Sequence, residues 1–170
     1  MNTAGTTQMV SEGLLPRQMQ ALLESTRLIN STLDLDELLQ IIVKVINRNL
    51  SADRTTLFLV DKEKGEIWSK VLLGDESLFI RQAIGKGISG HVAKTGEIIN
   101  IPDAYKDPRF NPEVDKKSGF RTRSILCAPV LNKNAEIIGV IQTLNKENGE
   151  FNSNDVRFLQ ALAAHVAIAI

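Results

Sequence analysis

The chain has 170 residues, one cysteine and no net charge at neutral pH, with 20 Lys plus Arg against 20 Asp plus Glu. That length suits one domain with a flanking helix and can bury a real core without staples. The charge balance gives no pull toward nucleic acid or acidic lipid, the lone cysteine excludes an internal disulfide and fits a reducing cytoplasmic setting, and no apolar run approaches the roughly 20 residues that span a bilayer.

Residues 1–13 lack the apolar stretch of a secretory signal and read as a disordered leader. Over 14–33, Leu15, Met19, Leu22, Thr26, Ile29 and Leu33 step by four and three, the rhythm of a coiled-coil seam. Two readings stay open for it: a dimerisation helix, or a helix packed on its own domain. A second helix starts at Asp34, whose spacing to Glu37 makes a capping-box pair, and Leu35, Leu38, Leu39, Ile42, Val45 and Ile46 give it one apolar face.

The pattern then changes to period two. Thr55 to Asp61 and Glu66 to Leu73, joined by Lys62-Glu63-Lys64-Gly65, predict an antiparallel hairpin. Ser124 to Leu131 and Ala135 to Leu144 predict a second pair, joined by Asn132-Lys133-Asn134 and apolar enough to be covered on both faces. Between the hairpins, Gly74 to Arg123 reads as an irregular lid with a short helix over Gly87 to Lys94, a brief strand over Ile98 to Ile101, a turn or helix from Pro102 and a loop over Pro108 to Pro112. The last helix runs from Ser153 to the end, with Val156, Leu159, Ala163, Val166 and Ile170 on one stripe. No Gly or Pro stops it, and it is expected to continue into a further domain.

Few residues here have the spacing that chemistry needs. Gly85 to Gly90 spells G-x-G-x-x-G, but the strand before it, Phe79 to Ile84, is weak, the sheet reads antiparallel, and no acid follows at the distance a dinucleotide fold wants. What survives is a glycine-led helix start whose amides can hold an anion, set against plain turn glycines. His91, His165 and Cys127 lie too far apart in sequence for a zinc-type cluster, and no Ser/His/Asp arrangement has supporting spacing. Cys127 sits in an apolar strand and reads as core, with Arg121 and Arg123 near enough to keep an activated thiol open. Arg121, Thr122, Arg123 and Ser124 offer donors to a phosphate or base edge, or simply begin a strand. Lys146 ends the last strand, and Asp155 lies three residues past a candidate N-cap, Asn152, where the helix dipole favours a carboxylate. This spacing predicts a Lys146–Asp155 ion pair that ties strand to helix, with Phe151 buried between them.

Taken together, Phe58-Leu59-Val60-Asp61, Gly87 to Ala93, Asn100 to Tyr105, Gly119 to Cys127 and Asn145-Lys146 resemble, in order and spacing, a GAF domain over Asp34 to Ile170. They are most similar to the cyclic-nucleotide-sensing GAF domains of phosphodiesterases and cyanobacterial adenylyl cyclases. Asn145, Lys146, Phe151 and Asp155 match that family's Asn-Lys…Phe-x-x-x-Asp-Glu signature, with Val156 where the family usually has Glu. The resemblance implies an α/β (α+β) fold: a central antiparallel sheet, terminal helices on one face, and a ligand lid of short helices and loops on the other. It implies a regulatory rather than catalytic domain, with cAMP or cGMP as ligand and no other cofactor. The stripes from Leu15 to Leu33 and from Val156 to Ile170 predict a homodimer through the terminal helices.

By matching position, Thr56 and Gln142 line the sheet side of the site. Ser89 and the backbone of Ile88 meet the cyclic phosphate, while Asn111, Asp115, Ser118 and Thr122 come from the lid. Leu72 stands where the family's best-known cyclic-GMP binders stack an aromatic residue on the base, a loss of about 1–3 kcal/mol by analogy with base stacking. Leu73 is apolar where those binders carry an acid. The rival reading is a ligand-free dimerisation and relay module. The bilin-binding and sulfoxide-reducing branches of the family need cysteines that this chain lacks.

Overall fold

The computed structural model describes residues 18, 20, 21, 24, 35–73 and 76–170. The leader over 1–13, every residue of the stripe over 14–33 and the Asp34 cap lie outside the described residues. Gln18, Gln20, Ala21 and Glu24 are helical, as expected for their segment, and Ala21 packs against the domain core.

Helix α1 (Leu35–Leu50) leads into β1 (Ala52–Asp61), β2 (Glu66–Leu73) and β3 (Glu76–Ala83). Helix α2 (Gly87–Thr95), strand β4 (Ile99–Ile101), a 3-10 helix (Ala104–Lys106) and helix α3 (Glu113–Ser118) form the lid segment. Strands β5 (Ile125–Leu131) and β6 (Ile137–Lys146) and helix α4 (Ser153–Ala169) complete the chain. The sheet has six strands in the order β3-β2-β1-β6-β5-β4, and every pairing is antiparallel.

Alternation along the central strands assigns their side chains to two cores. On one face Leu57, Leu126, Ala128, Val130 and Ile141 pack against α1 and α4, which contribute Leu38, Ile42, Ile46, Phe158, Leu159 and Leu162. On the other face Phe58, Ile67, Ile125, Cys127, Val140 and Leu144 meet Ile88, Val92 and Ala93 of α2, with Ile99, Ile101 and Ala104 closing that side. The expected arrangement, helices on one face and a lid on the other, is the one observed.

The structure changes three local expectations. The irregular segment begins later than Gly74, because β3 is a full edge strand paired with β2 from Glu66↔Ala83 to Leu73↔Glu76. Its Leu78-Phe79-Ile80 run breaks the period-two pattern that would have marked it. Helix α3 forms where no helix was expected; its six residues carry no apolar face, and Asp115 is its only buried residue. The stripe on α4 is spent inside the domain: Leu159, Ala163 and Val166 are buried against the chain's own sheet, so their spacing marks a core face. Ile168, at 83 % exposure, is left outside it.

Candidate functional site

The sheet side of the lid face carries Thr56 and Gln142 as direct cross-strand partners, both half-buried. Alternation puts Thr56 on the side of Phe58, and Gln142 between Val140 and Leu144 on theirs. The two polar side chains therefore sit next to each other on an otherwise apolar floor.

Above the floor, α2 begins at Gly87, with Ile88 and Ser89 buried in its first turn. Lys86 caps the helix with extended backbone and no side-chain hydrogen bond, so its own side chain does not occupy the positive end of the helix. Gln82 at the end of β3 reaches across this turn. Its amide nitrogen donates to the Lys86 carbonyl, and its carbonyl accepts from the Ser89 hydroxyl at 3.4 Å. The helix start is also pressed onto the backbone of β3: a Cβ on Gly90 would lie 2.8 Å from the Ala83 carbonyl oxygen.

The lid side centres on Asp115, which is 7 % exposed. Its carboxylate accepts from the Tyr105 hydroxyl at 2.7 Å, the Thr122 amide at 2.8 Å and the Thr122 hydroxyl at 2.8 Å. Burial alone would raise its pKa, but the Thr122 amide, the two hydroxyls and the Arg121 charge outweigh burial and hold it below the usual carboxylate range. Tyr105 moves the other way: the hydrogen bond to Asp115, then burial and the carboxylate charge, raise its pKa against the pull of Arg121. The Arg121 guanidinium lies 4.4 Å from the Tyr105 ring centroid, and the Phe110 ring packs 5.1 Å away.

The remaining expected residues are distributed unevenly. Asp115 and Thr122 bond to each other, whereas Asn111 and Ser118 serve the ends of α3. Asn111 Oδ1 accepts from the Glu113 amide, and exposed Ser118 donates to the Val114 carbonyl. The side chains of Leu72 and Leu73 lie outside the described residues. Tyr105, Gln82 and the stacking of Arg54 over Phe120 at 4.2 Å were not anticipated; each bridges elements that no local motif connects. Arg123, read as a phosphate donor, lies 3.7 Å from Asp53. Cys127 is fully buried, and desolvation pushes its thiol above the usual range, which removes the activated-thiol reading. Among the described residues no group of His, Cys, Asp and Glu could hold a metal ion. No helix of the described residues is long and apolar enough to cross a membrane.

Behind the lid, Asn145 fixes the strap that runs from Gly119 to Ser124. Its φ is +61°, its Nδ2 donates to the Arg121 carbonyl at 2.9 Å, and its Oδ1 accepts from the Arg123 amide at 2.6 Å. The neighbouring Lys146 Nζ lies 2.9 Å from both carboxylate oxygens of Asp155. Asp155 also closes a reciprocal capping box with Asn152. Phe151 is buried in the helix-side core, and its carbonyl accepts from the Asn100 side chain at 2.9 Å.

The family model described as the GAF domain matches residues 34–170. This chain belongs to the GAF family. The chain is 41% identical over 161 residues to a dual 3′,5′-cyclic-AMP and -GMP phosphodiesterase of Takifugu rubripes, covering 87% of this chain and 18% of that protein. It is 39% identical over 145 residues to a probable 3′,5′-cyclic phosphodiesterase of Caenorhabditis elegans, covering 76% of this chain and 20% of that one. The chain thus spans about a fifth of the length of these curated relatives. Among solved structures it superposes on the GAF domain of a phosphoenolpyruvate-protein phosphotransferase from Coxiella burnetii with a TM-score of 0.75, at 25% identity, covering 89% of this chain and 90% of that one. The free methionine-R-sulfoxide reductase of Neisseria meningitidis shares the fold at 18% identity, with a TM-score of 0.74 and coverage of 89% and 87%.

Proposed function

We propose that this GAF domain is the regulatory, non-catalytic sensor of a larger cytoplasmic signalling protein, and that it takes a cyclic nucleotide between the sheet and the lid. The observation that carries the reading is the uncapped start of α2, with Ser89 buried in its first turn, facing the same side of the sheet as the Thr56–Gln142 pair. Such a helix start suits a cyclic phosphate, and the two floor residues offer donors and acceptors to a base or ribose. Similarity to two cyclic phosphodiesterases supports the ligand class. Thr122 and Asp115 sit where the lid would cover the nucleotide, and binding there would move α3 and the strap. From the strap, Asn145 and the Lys146–Asp155 pair lead directly to α4, the route by which occupancy would reach the remainder of the protein.

A second reading, a ligand-free relay and dimerisation module, is favoured by one observation. Asp115 and Thr122 already satisfy each other, and the Ser89 hydroxyl already has Gln82. Titration calorimetry of the chain with cyclic AMP and cyclic GMP separates the two. Saturable heat with either nucleotide, lost in Thr122→Ala and strengthened in Leu72→Phe, supports the sensor. No heat with both nucleotides leaves the relay module.

A further inference from the structure

Helix α3 has no hydrophobic anchor. Its apolar residue, Val114, is 63% exposed, and the only side chain it buries is Asp115. Most of its hydrogen bonds are local: Asn111 and Pro112 hold its start, Ser118 and Gly119 its end, and Thr122 lies only seven residues from Asp115. Among the described residues, one hydrogen bond leads from α3 to an element beyond these flanks, the 2.7 Å bond from the Tyr105 hydroxyl to Asp115 Oδ2.

Tyr105 is well placed to bear such a role. Its 3-10 helix is fixed at its start by buried Ala104, whose amide donates to the Arg123 carbonyl at 2.7 Å. The residue is 41% exposed, and its ring touches both Phe110 and the Arg121 guanidinium, contacts that orient the hydroxyl. Arg121 belongs to the strap, and the strap is held to β6 by Asn145. The strap and the 3-10 helix are therefore attached to the sheet; α3 meets the strap through the two Asp115–Thr122 bonds at its own C-terminal flank, and meets the 3-10 helix through one phenolic hydrogen bond.

We propose that Tyr105 is a positioning residue of the lid: its hydroxyl latches α3 closed over the sheet, and opening of that bond sets how fast a ligand enters and leaves. The latch rests on the contacts above; its effect on entry and release rests on the ligand reading under Proposed function. The conservative variant is Tyr105→Phe, which keeps the ring contacts with Phe110 and Arg121 and removes only the hydroxyl.

Two measurements on the full 170-residue chain test it. In hydrogen exchange without nucleotide, amides over 113–123 should exchange about threefold to tenfold faster in Tyr105→Phe, the change expected from one net hydrogen bond, while β5, β6 and α4 keep wild-type protection. In stopped flow with fluorescently labelled cyclic GMP and cyclic AMP, entry and release should both quicken while the affinity changes less than either rate. A purely structural role would lower stability without that paired rise. Unchanged exchange over 113–123 overturns the proposal. Faster exchange with unchanged ligand rates overturns the gating role. Faster exchange in a chain whose wild type binds neither nucleotide overturns the ligand reading, and gating with it, while the latch stands.

Discussion

Lys146 Nζ lies 2.9 Å from both carboxylate oxygens of Asp155, and the two side chains are 18% and 3% exposed. The pair joins the end of β6 to the first turn of α4, and the same carboxylate caps that helix through the Asn152 amide. Asp155→Ala therefore removes an ion pair and half a capping box together, and leaves a mostly buried ammonium without its partner. It should cost about 3 kcal/mol in urea unfolding, well above the roughly 0–1 kcal/mol of an exposed pair. Lys146→Met should cost less, because it leaves the capping box intact. A double-mutant cycle that finds no coupling between the two positions would refute the assignment.

The Asp115 carboxylate predicts an acid dependence of lid stability. Its folded pKa lies below that of the unfolded chain, so its contribution is present above the unfolded value, about 4, and is lost as pH falls through the lower folded value. Asp115→Asn should destabilise by about 1–3 kcal/mol at neutral pH, because an amide cannot accept all three bonds. The gap between variant and wild type should close as pH is lowered below about 4. A gap that is constant from neutral pH to pH ~3 would show that the carboxylate charge is not what the lid uses.

The parts of this molecule that were legible from sequence are those whose side chains repeat with their element's period. The apolar face of α1, the β1–β2 and β5–β6 hairpins and the stripe on α4 are of this kind, and the Lys146–Asp155 pair follows from a strand end and a cap close together in sequence. Strand β3 escaped because Leu78-Phe79-Ile80 runs without alternation. Helix α3 escaped because a helix held by one buried carboxylate leaves no hydrophobic signal. The floor pair Thr56–Gln142 was reached only through family resemblance, since their residues are 86 positions apart and only the β1–β6 register makes them neighbours. The stripe on α4 shows the converse limit: its spacing identified an apolar face but not that the face packs on the chain's own sheet.

That last point redirects the expectation of a dimer. With Leu159, Ala163 and Val166 buried in the domain, the expectation of self-association would have to rest on the stripe of the N-terminal segment. The chain should sediment as a dimer at tens of micromolar, and replacing both Leu22 and Ile29 with Lys should give a monomer with an intact sheet, judged by far-ultraviolet circular dichroism and an unchanged urea midpoint. A wild-type chain that sediments only as a monomer overturns the homodimer expectation. A double variant that loses its fold would place the stripe in the domain's own core instead.

Gly90 should be irreplaceable for a reason visible only in three dimensions. It lies inside α2, where helix propensity alone would make Gly90→Ala stabilising by roughly 1 kcal/mol. The structure reverses that sign. A Cβ at this position would sit 2.8 Å from the Ala83 carbonyl oxygen and 3.2 Å from the Gly85 nitrogen, and both are backbone atoms that cannot swing aside. The Gly85 amide is further held by the Gly90 carbonyl at 2.8 Å, so relieving the clash means moving the whole glycine turn off the end of β3. Gly90→Ala should therefore destabilise by about 1–3 kcal/mol, the usual cost of overpacking. The movement would shift the first turn of α2, with Ser89 and the amides proposed to meet a cyclic phosphate, so nucleotide affinity should fall even where the variant is fully folded. Thermal melting and calorimetry read the two effects separately. A Gly90→Ala chain as stable as wild type would mean that α2 does not press on β3 as closely as the Ala83 contact requires.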